Sequence, residues 1–303
     1  MPSDLPEATV AIVGAGLMGG SLGKALVSAR SCKRVVGLVR RPEAAREAVQ
    51  LQAADAADTD PGAVLGEADL VVLAAPVRTI EEQVLTLHPY LKPGAVLTDM
   101  GSVKRGVVQA MAELPPHVHP VGGHPMCGKE TPGIRAADPL LFKDKVWVLT
   151  PLERSYPEAV TACMQLIAAV GARPIVMDAA EHDATVACIS HLPYLLASSL
   201  VGVAEAVASE KPRVWDLASS GFRDTSRVAA GDLTMMMDIL RSNDDNVVEM
   251  LKRAKRQIDR FIGLLEYRDD DRLRNVLAAI RERRAPMFRP DGNPTLEGNH
   301  HER

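Results

Sequence analysis

His124 lies in Val118–Gly133, VHPVGGHPMCGKETPG, which holds two histidines, four glycines, three prolines, a cysteine, a lysine and a glutamate in sixteen residues. Glycine and proline at this density predict a sharply bent loop whose backbone can approach a ligand. Long polar loops between apolar runs are usually functional. Gly122-Gly123 before His124 and Pro125 after it would hold its ring on a stiff, unusual backbone. A lone histidine is more often a satisfied turn residue, so the case depends on what converges with it. Three other stretches could. Ser102, in TDMGSVK (98–104), follows a strand end and is either a helix cap or a ligand hydroxyl. His191, in SHLPY (190–194), sits in an apolar helical run as either a core histidine or a ligand contact, beside a proline that kinks the helix or frees a carbonyl. Arg223, Asp224 and Arg227 stand among small residues in ASSGFRDTSRVAA (218–230), with Gly221 breaking the helical run. A guanidinium fork binds a carboxylate bidentately, and a local salt bridge to Asp224 is the competing use of one arginine.

These groups need elements to bring them together. The β-branched run Thr9–Val13 ends in Gly14-Ala-Gly16-Leu17-Met18-Gly19, and a helix of small and apolar residues follows from Ser21 to Ser28. Strand, GxGxxG and helix in this order predict a dinucleotide-binding turn. Gly14 permits the tight turn, Gly16 lets a pyrophosphate approach, and Gly19 lets helix pack on strand. The anion would sit at the helix N-terminus. In the next strand, Arg34–Val39, the acid expected for NAD is missing, and Arg40 and Arg41 follow. Guanidinium groups there suit a 2′-phosphate. The reading is NADP, with NAD as the alternative, and a solvated basic turn as the competing explanation.

Further strands at 68–75, 95–98, 145–150 and 173–177 alternate with helices at 44–52, 77–87 and 156–170. This alternation predicts an α/β, Rossmann-type doubly wound sheet, mostly parallel, over residues 1–177. Ligands then bind beyond the carboxyl ends of the strands, where the turns at Gly14, Pro76, Ser102 and His124 are expected. From 178 to 288 the apolar residues recur at helical spacing, so the second domain is read as all-helical. Val247, Leu251, Ala254, Ile258, Ile262 and Leu265 fall on one stripe. So apolar a helical half predicts a homodimer. The polar tail 289–303 reads as disordered.

Composition bounds the function. A hydrophobic share of 47% supports a substantial core, and aromatics at 3% leave it to aliphatic residues. A net charge of -4 gives no electrostatic case for nucleic acid. There is no basic amphipathic stripe, no uninterrupted apolar run near the ~20 residues of a bilayer span, and no signal-peptide pattern in MPSDLPEAT. Cys32, Cys127, Cys163 and Cys188 lack metal spacing and fit reduced thiols. A cytoplasmic protein without metal, membrane or nucleic-acid partner is expected.

Together, GAGLMGGSL (14–22), TDMGSVK (98–104), GGHPMCGKETPG (122–133), SHLPY (190–194) and SGFRDTSR (220–227) resemble the prephenate/arogenate dehydrogenase family from about Thr9 to Phe288. The resemblance implies a Rossmann domain followed by an all-α dimerisation domain, and oxidative decarboxylation of a cyclohexadienol with hydride transfer to NAD(P). It also implies that His124 draws the proton from the substrate 4-hydroxyl and that Ser102 contacts that hydroxyl and the nicotinamide end. His191 would belong to the substrate site, Arg227 would grip a carboxylate, and Glu130 would lie near the substrate side chain. Two departures, Tyr194 in place of a histidine and Met236 in place of a tryptophan, would also lie there. They leave prephenate and arogenate both open. A β-hydroxyacid dehydrogenase would need a lysine in the helix near Ala179–Ser209, which has none. A non-catalytic NADP-binding sensor is the alternative outside enzymes.

Overall fold

The computed structural model describes residues 4–129 and 131–288. Glu130 and the tail expected to be disordered lie outside the described residues. The chain divides into two compact units between Val247 and Val248.

The first unit is built on one eight-stranded sheet. Its strands are β1 (Thr9–Val13), β2 (Arg34–Leu38), β3 (Ala56–Asp58), β4 (Leu70–Leu73), β5 (Val96–Asp99), β6 (His119–Pro125), β7 (Val146–Pro151) and β8 (Arg173–Val176). They run in the order β3-β2-β1-β4-β5-β6-β7-β8. Every neighbouring pair is parallel except β6–β7. Short Val/Leu/Ile runs buried on both faces are what such a sheet requires, and β4 is buried along its whole length. Helices α1 (Leu17–Ala29), α2 (Pro42–Gln50), α3 (Pro61–Leu65), α4 (Val77–Leu87), α5 (Arg105–Ala112) and α6 (Pro157–Ala169) connect the strands. One apolar cluster packs Leu22, Leu26, Phe142, Trp147 and Leu166 on one face of the sheet, and a second packs Ile80, Val84, Val107 and Met111 on the other. The expected doubly wound α/β fold is present, and order reverses beside β1 as a dinucleotide site requires.

The structure corrects the sequence reading at four places. Val118–Gly133 is not a loop throughout: residues 119–125 form β6, pairing with β5 and β7. Glycine and proline there serve close packing rather than bending, since a Cβ on Gly123 would stand 2.6 Å from the Asp99 carbonyl oxygen. The three-residue strand β3 and the short helices α3 and α5 carry too few residues for a periodic signal. Gly221 does not break a helix but lies inside α9 (Ser220–Ser226). The interruption in the long apolar helix is a π-helical turn at Ala187–His191, between α7 (Ala179–Val186) and α8 (Leu192–Glu210). Pro193 follows that turn at the start of α8, where the missing proline N–H leaves a carbonyl of the preceding turn without its helical donor.

The remaining elements are helical. They are α9, a 3₁₀ turn at Arg227–Ala230, α10 (Leu233–Ser242), α11 (Asp244–Glu266) and α12 (Asp270–Arg284). The stretch Ala179–Glu210 is long and apolar enough to cross a bilayer by length and composition. Its opening turns nevertheless carry buried His182 and Asp183. In the second unit the expected stripe leaves Leu251, Ile258, Ile262 and Leu265 exposed.

Candidate active site

At the carboxyl end of β1, Gly14 has φ +101, a conformation that favours glycine. A Cβ on Gly14 would press 2.6 Å from the Ala74 carbonyl oxygen, and one on Gly19 would fall 2.0 Å from the Gly14 oxygen. Gly16 differs, because nothing lies within 4 Å of the space its Cβ would occupy. Gly16 is also the N-cap of α1, and no side chain caps that terminus. Open space against an uncapped helix N-terminus fits a pyrophosphate. Leu17 and Met18 form the first turn and are partly buried against the core. Pro76 caps α4 on the same rim. Val39 is buried after β2, while Arg40 and Arg41 are exposed. Among the described residues neither arginine makes an ion pair.

His124 is the penultimate residue of β6 on this rim, past the register in which Thr98 of β5 pairs with Val121. A buried polar frame fixes it. The Asp99 carboxylate accepts hydrogen bonds from the backbone N–H groups of Gly101 (2.7 Å) and Gly123 (2.9 Å). Lys104 Nζ pairs closely with Asp99 and donates to the Gly123 carbonyl at 2.7 Å. Both side chains are fully buried. Burial lowers the Lys104 pKa, and Asp99 opposes that shift. β5 and β6 are thereby bound together one residue ahead of His124.

A second set of contacts reaches His124 from the helical segments. His124 Nδ1 lies 2.8 Å from His182 Nε2, and His182 Nδ1 lies 2.8 Å from Asp183 Oδ1. Asp183 in turn accepts from the backbone N–H of Lys104 (2.7 Å) and of Arg105 (2.9 Å). Lys104 is the N-cap of α5 and has no side-chain cap of its own. Asp183 therefore caps α5 from another helix, where a carboxylate is favoured by the dipole. Ser102, read as a possible helix cap, is not the N-cap of α5. It is half-buried on the rim beside His124's strand. The Arg105 guanidinium pairs with Asp245, one contact measuring 2.8 Å.

Electrostatics keep His124 and His191 neutral. Burial drives the His124 pKa well below its ordinary range, and His182, Lys104 and His191 push the same way. Burial likewise lowers His191 to about 4, although Asp183 opposes it. Burial alone would raise Asp183, but bonds from His182, Arg105 and Lys104 hold its carboxyl below the usual range. His191 is 1% exposed, and its Nδ1 lies 3.3 Å from Asn243 Nδ2. Asn243 Oδ1 faces the Asn246 amide at 2.8 Å, so its NH₂ group must face Asp183 O and His191. His191 then accepts at Nδ1 and carries its proton on Nε2.

The structure thus joins His124 and His191 in one network through His182, Asp183 and Asn243. Sequence reasoning missed these three, along with Asp99 and Lys104. The available signal was charged or amide groups on otherwise apolar stripes, such as His182-Asp183 one turn before Val186. Tyr194 packs at the edge of the second apolar cluster, to which buried Met236 also belongs. Arg227 is exposed at the start of its 3₁₀ turn. The ion pair weighed for Asp224 is made by Arg223, at 2.8 Å. No cluster of three or more metal-ligating side chains occurs among the described residues.

A glycine turn at the switch point of a doubly wound sheet, with a neutral histidine on the same rim, defines a nicotinamide-dependent oxidoreductase. Residues 22–176 match the family model described as prephenate dehydrogenase, nucleotide-binding domain, and residues 178–279 match prephenate dehydrogenase, dimerization domain. The chain belongs to the prephenate dehydrogenase family. It is 33% identical over 273 residues to the prephenate dehydrogenase of Bacillus subtilis (strain 168), covering 88% of this chain and 72% of that one. The solved prephenate dehydrogenase of A. aeolicus, in complex with hydroxyphenyl propionate and NAD+, superposes with a TM-score of 0.85. It is 29% identical and covers 91% of this chain and 97% of its own. The Synechocystis arogenate dehydrogenase gives a TM-score of 0.79 at 30% identity, over 91% and 98% of the two chains. The reading as a β-hydroxyacid dehydrogenase is not favoured.

Proposed function

We propose that this enzyme oxidatively decarboxylates prephenate or arogenate, with His124 as general base and NADP as the preferred cofactor. The observation that carries the reading is His124, held neutral by burial on the same carboxyl rim of the sheet as the open cradle at Gly16. When bound, the nicotinamide cofactor supplies the hydride acceptor. Gly14, Gly16, Gly19 and the first turn of α1 would hold its pyrophosphate, with Leu17, Met18 and Pro76 lining the approach. Arg40 and Arg41 would pair with a 2′-phosphate, and the buried Val39 offers no acid to a 2′-hydroxyl.

His124 takes the proton of the ring hydroxyl as the ring loses hydride and carbon dioxide. Because the product is aromatic, the chemistry is strongly driven, and the protein supplies mainly orientation and a proton acceptor. Ser102 hydrogen-bonds the same hydroxyl. His191 donates its Nε2–H to the substrate, and Arg227 holds a carboxylate that survives the reaction. Glu130 and Tyr194 serve the side-chain end. We further propose that residues 1–177 form the cofactor domain and 178–288 the substrate and dimerisation domain. The exposed stripe at Leu251, Ile258, Ile262 and Leu265 supports a homodimer, and a cytoplasmic location fits free cysteines.

Activity of the purified chain with each substrate against NAD and NADP tests the reaction. Turnover with at least one substrate, faster with NADP, is expected. No cofactor reduction with either substrate would leave the sensor reading standing.

A further inference from the structure

The chain Asp183–His182–His124 is built for more than packing, because its polarity decides which nitrogen of His124 is basic. Resting on the reading of His124 as the base, we propose that His182 and Asp183 are positioning residues that lock His124 in its proton-accepting tautomer. Asp183 can only accept, and it lies 2.8 Å from His182 Nδ1, so that nitrogen carries hydrogen. With its hydrogen on Nδ1, His182 presents the Nε2 lone pair, which accepts from His124 Nδ1–H across 2.8 Å. The basic lone pair of His124 is left on Nε2, the nitrogen not used by the frame. Reversed, the same chain would place a proton on His124 Nε2 and abolish the base.

Asp183 is held against rotation by the two backbone donors at the start of α5, so the direction of the chain is set by a helix terminus. When His124 Nε2 accepts the substrate proton, the imidazolium keeps its Nδ1–H bond to His182. Its charge is met through that ring by the Asp183 carboxylate. No proton need leave His182. The charged or titratable groups facing the chain are Lys104 and Arg105 from α5, Asp99 from β5 and His191 from the π-helical turn. Among the described residues, Asp183 is the one carboxylate bonded to His182.

The test uses the full-length enzyme with labelled histidine nitrogens. The resonance of His124, identified by its loss in His124→Asn, should show Nε2 as the unprotonated, pyridine-like nitrogen. In His182→Phe, which keeps a ring but cuts the chain, this signature should give way to mixed tautomers. At the same time kcat should fall about tenfold or more, within the roughly 10²–10⁴-fold that a positioned base supplies, while KM and NADP affinity stay within twofold. In the double variant His124→Asn/His182→Phe, kcat should be no lower than in His124→Asn alone. A protonated Nε2 in the wild type, or unchanged kcat in His182→Phe while His124→Asn is impaired, would overturn the proposal. Full activity in His124→Asn would instead remove the reading on which it rests.

Discussion

At the residue scale, the chemistry turns on groups whose charge is set by their surroundings. His124 must be neutral to accept a proton, and burial, beside Lys104 and two further histidines, keeps it so. Arg227 has the opposite task, since a carboxylate that persists through the reaction is bound equally in ground and transition states. Arg227→Ala should therefore raise KM roughly 10–150-fold, the equivalent of about 1.5–3 kcal/mol for a charge-assisted hydrogen bond, and leave kcat nearly unchanged. Steady-state kinetics separate the two parameters. For the cofactor, replacing Arg40 and Arg41 with alanine should weaken use of NADP while leaving NAD almost untouched. A wild type that prefers NAD tenfold would show that the two arginines are a solvated turn.

At the element scale, the site is where strand ends and helix starts are bound to one another. The Lys104–Asp99 pair is buried between β5 and β6, and removing one partner leaves an uncompensated charge. Lys104→Met should cost about 3–5 kcal/mol, read as a lowered urea midpoint. Much of this scale was legible in the sequence. The GxGxxG turn, β1, β2 and the long helices announced themselves because period and punctuation agree there. β6 did not, because its seven residues HPVGGHP include two glycines and two prolines, residue types depleted in strands. They are tolerated because β6 must approach Asp99 and Trp147 closely. His182 and Asp183 stood out as polar groups on an apolar stripe, but nothing in a one-dimensional pattern says that an adjacent pair on one helix will cap another. His124, His191 and Arg227 were singled out by residue type and by resemblance, whereas the network joining the two histidines exists only in three dimensions.

At the scale of the whole molecule, buried neutral histidines couple stability to pH. The folded-state pKa of His124 and of His191 lies below the ordinary 6.5, at about 4 for His191. Between the folded and unfolded values the unfolded chain binds more protons, so stability rises with pH. The enzyme should lose stability as pH falls from about 6.5 toward 4, on the order of 3 kcal/mol for His191 alone. Asp183 is shifted downward as a carboxyl, so its contribution is present above the ordinary 3.8 and is lost at still lower pH. Thermal melts between pH 8 and pH 4, roughly the span of these titrations, should show Tm falling through the histidine window. A flat profile there would mean that both rings take up protons in the fold as readily as in the unfolded chain. The apolar stripes of the helical segments belong to this scale too. Light scattering should report about twice the 32.5 kDa chain mass, and a fully active monomer would contradict the proposed dimer.

The central claim is that His124 takes the substrate proton as hydride departs. Single-turnover reduction of NADP by the wild type and by His124→Asn, at saturating substrate, tests it most directly. Asparagine keeps a polar contact but cannot accept the proton, so the reduction rate should fall by roughly 10²-fold or more with substrate and NADP affinity preserved. An unchanged rate in His124→Asn would contradict the account, because the base would then have to lie elsewhere on the rim.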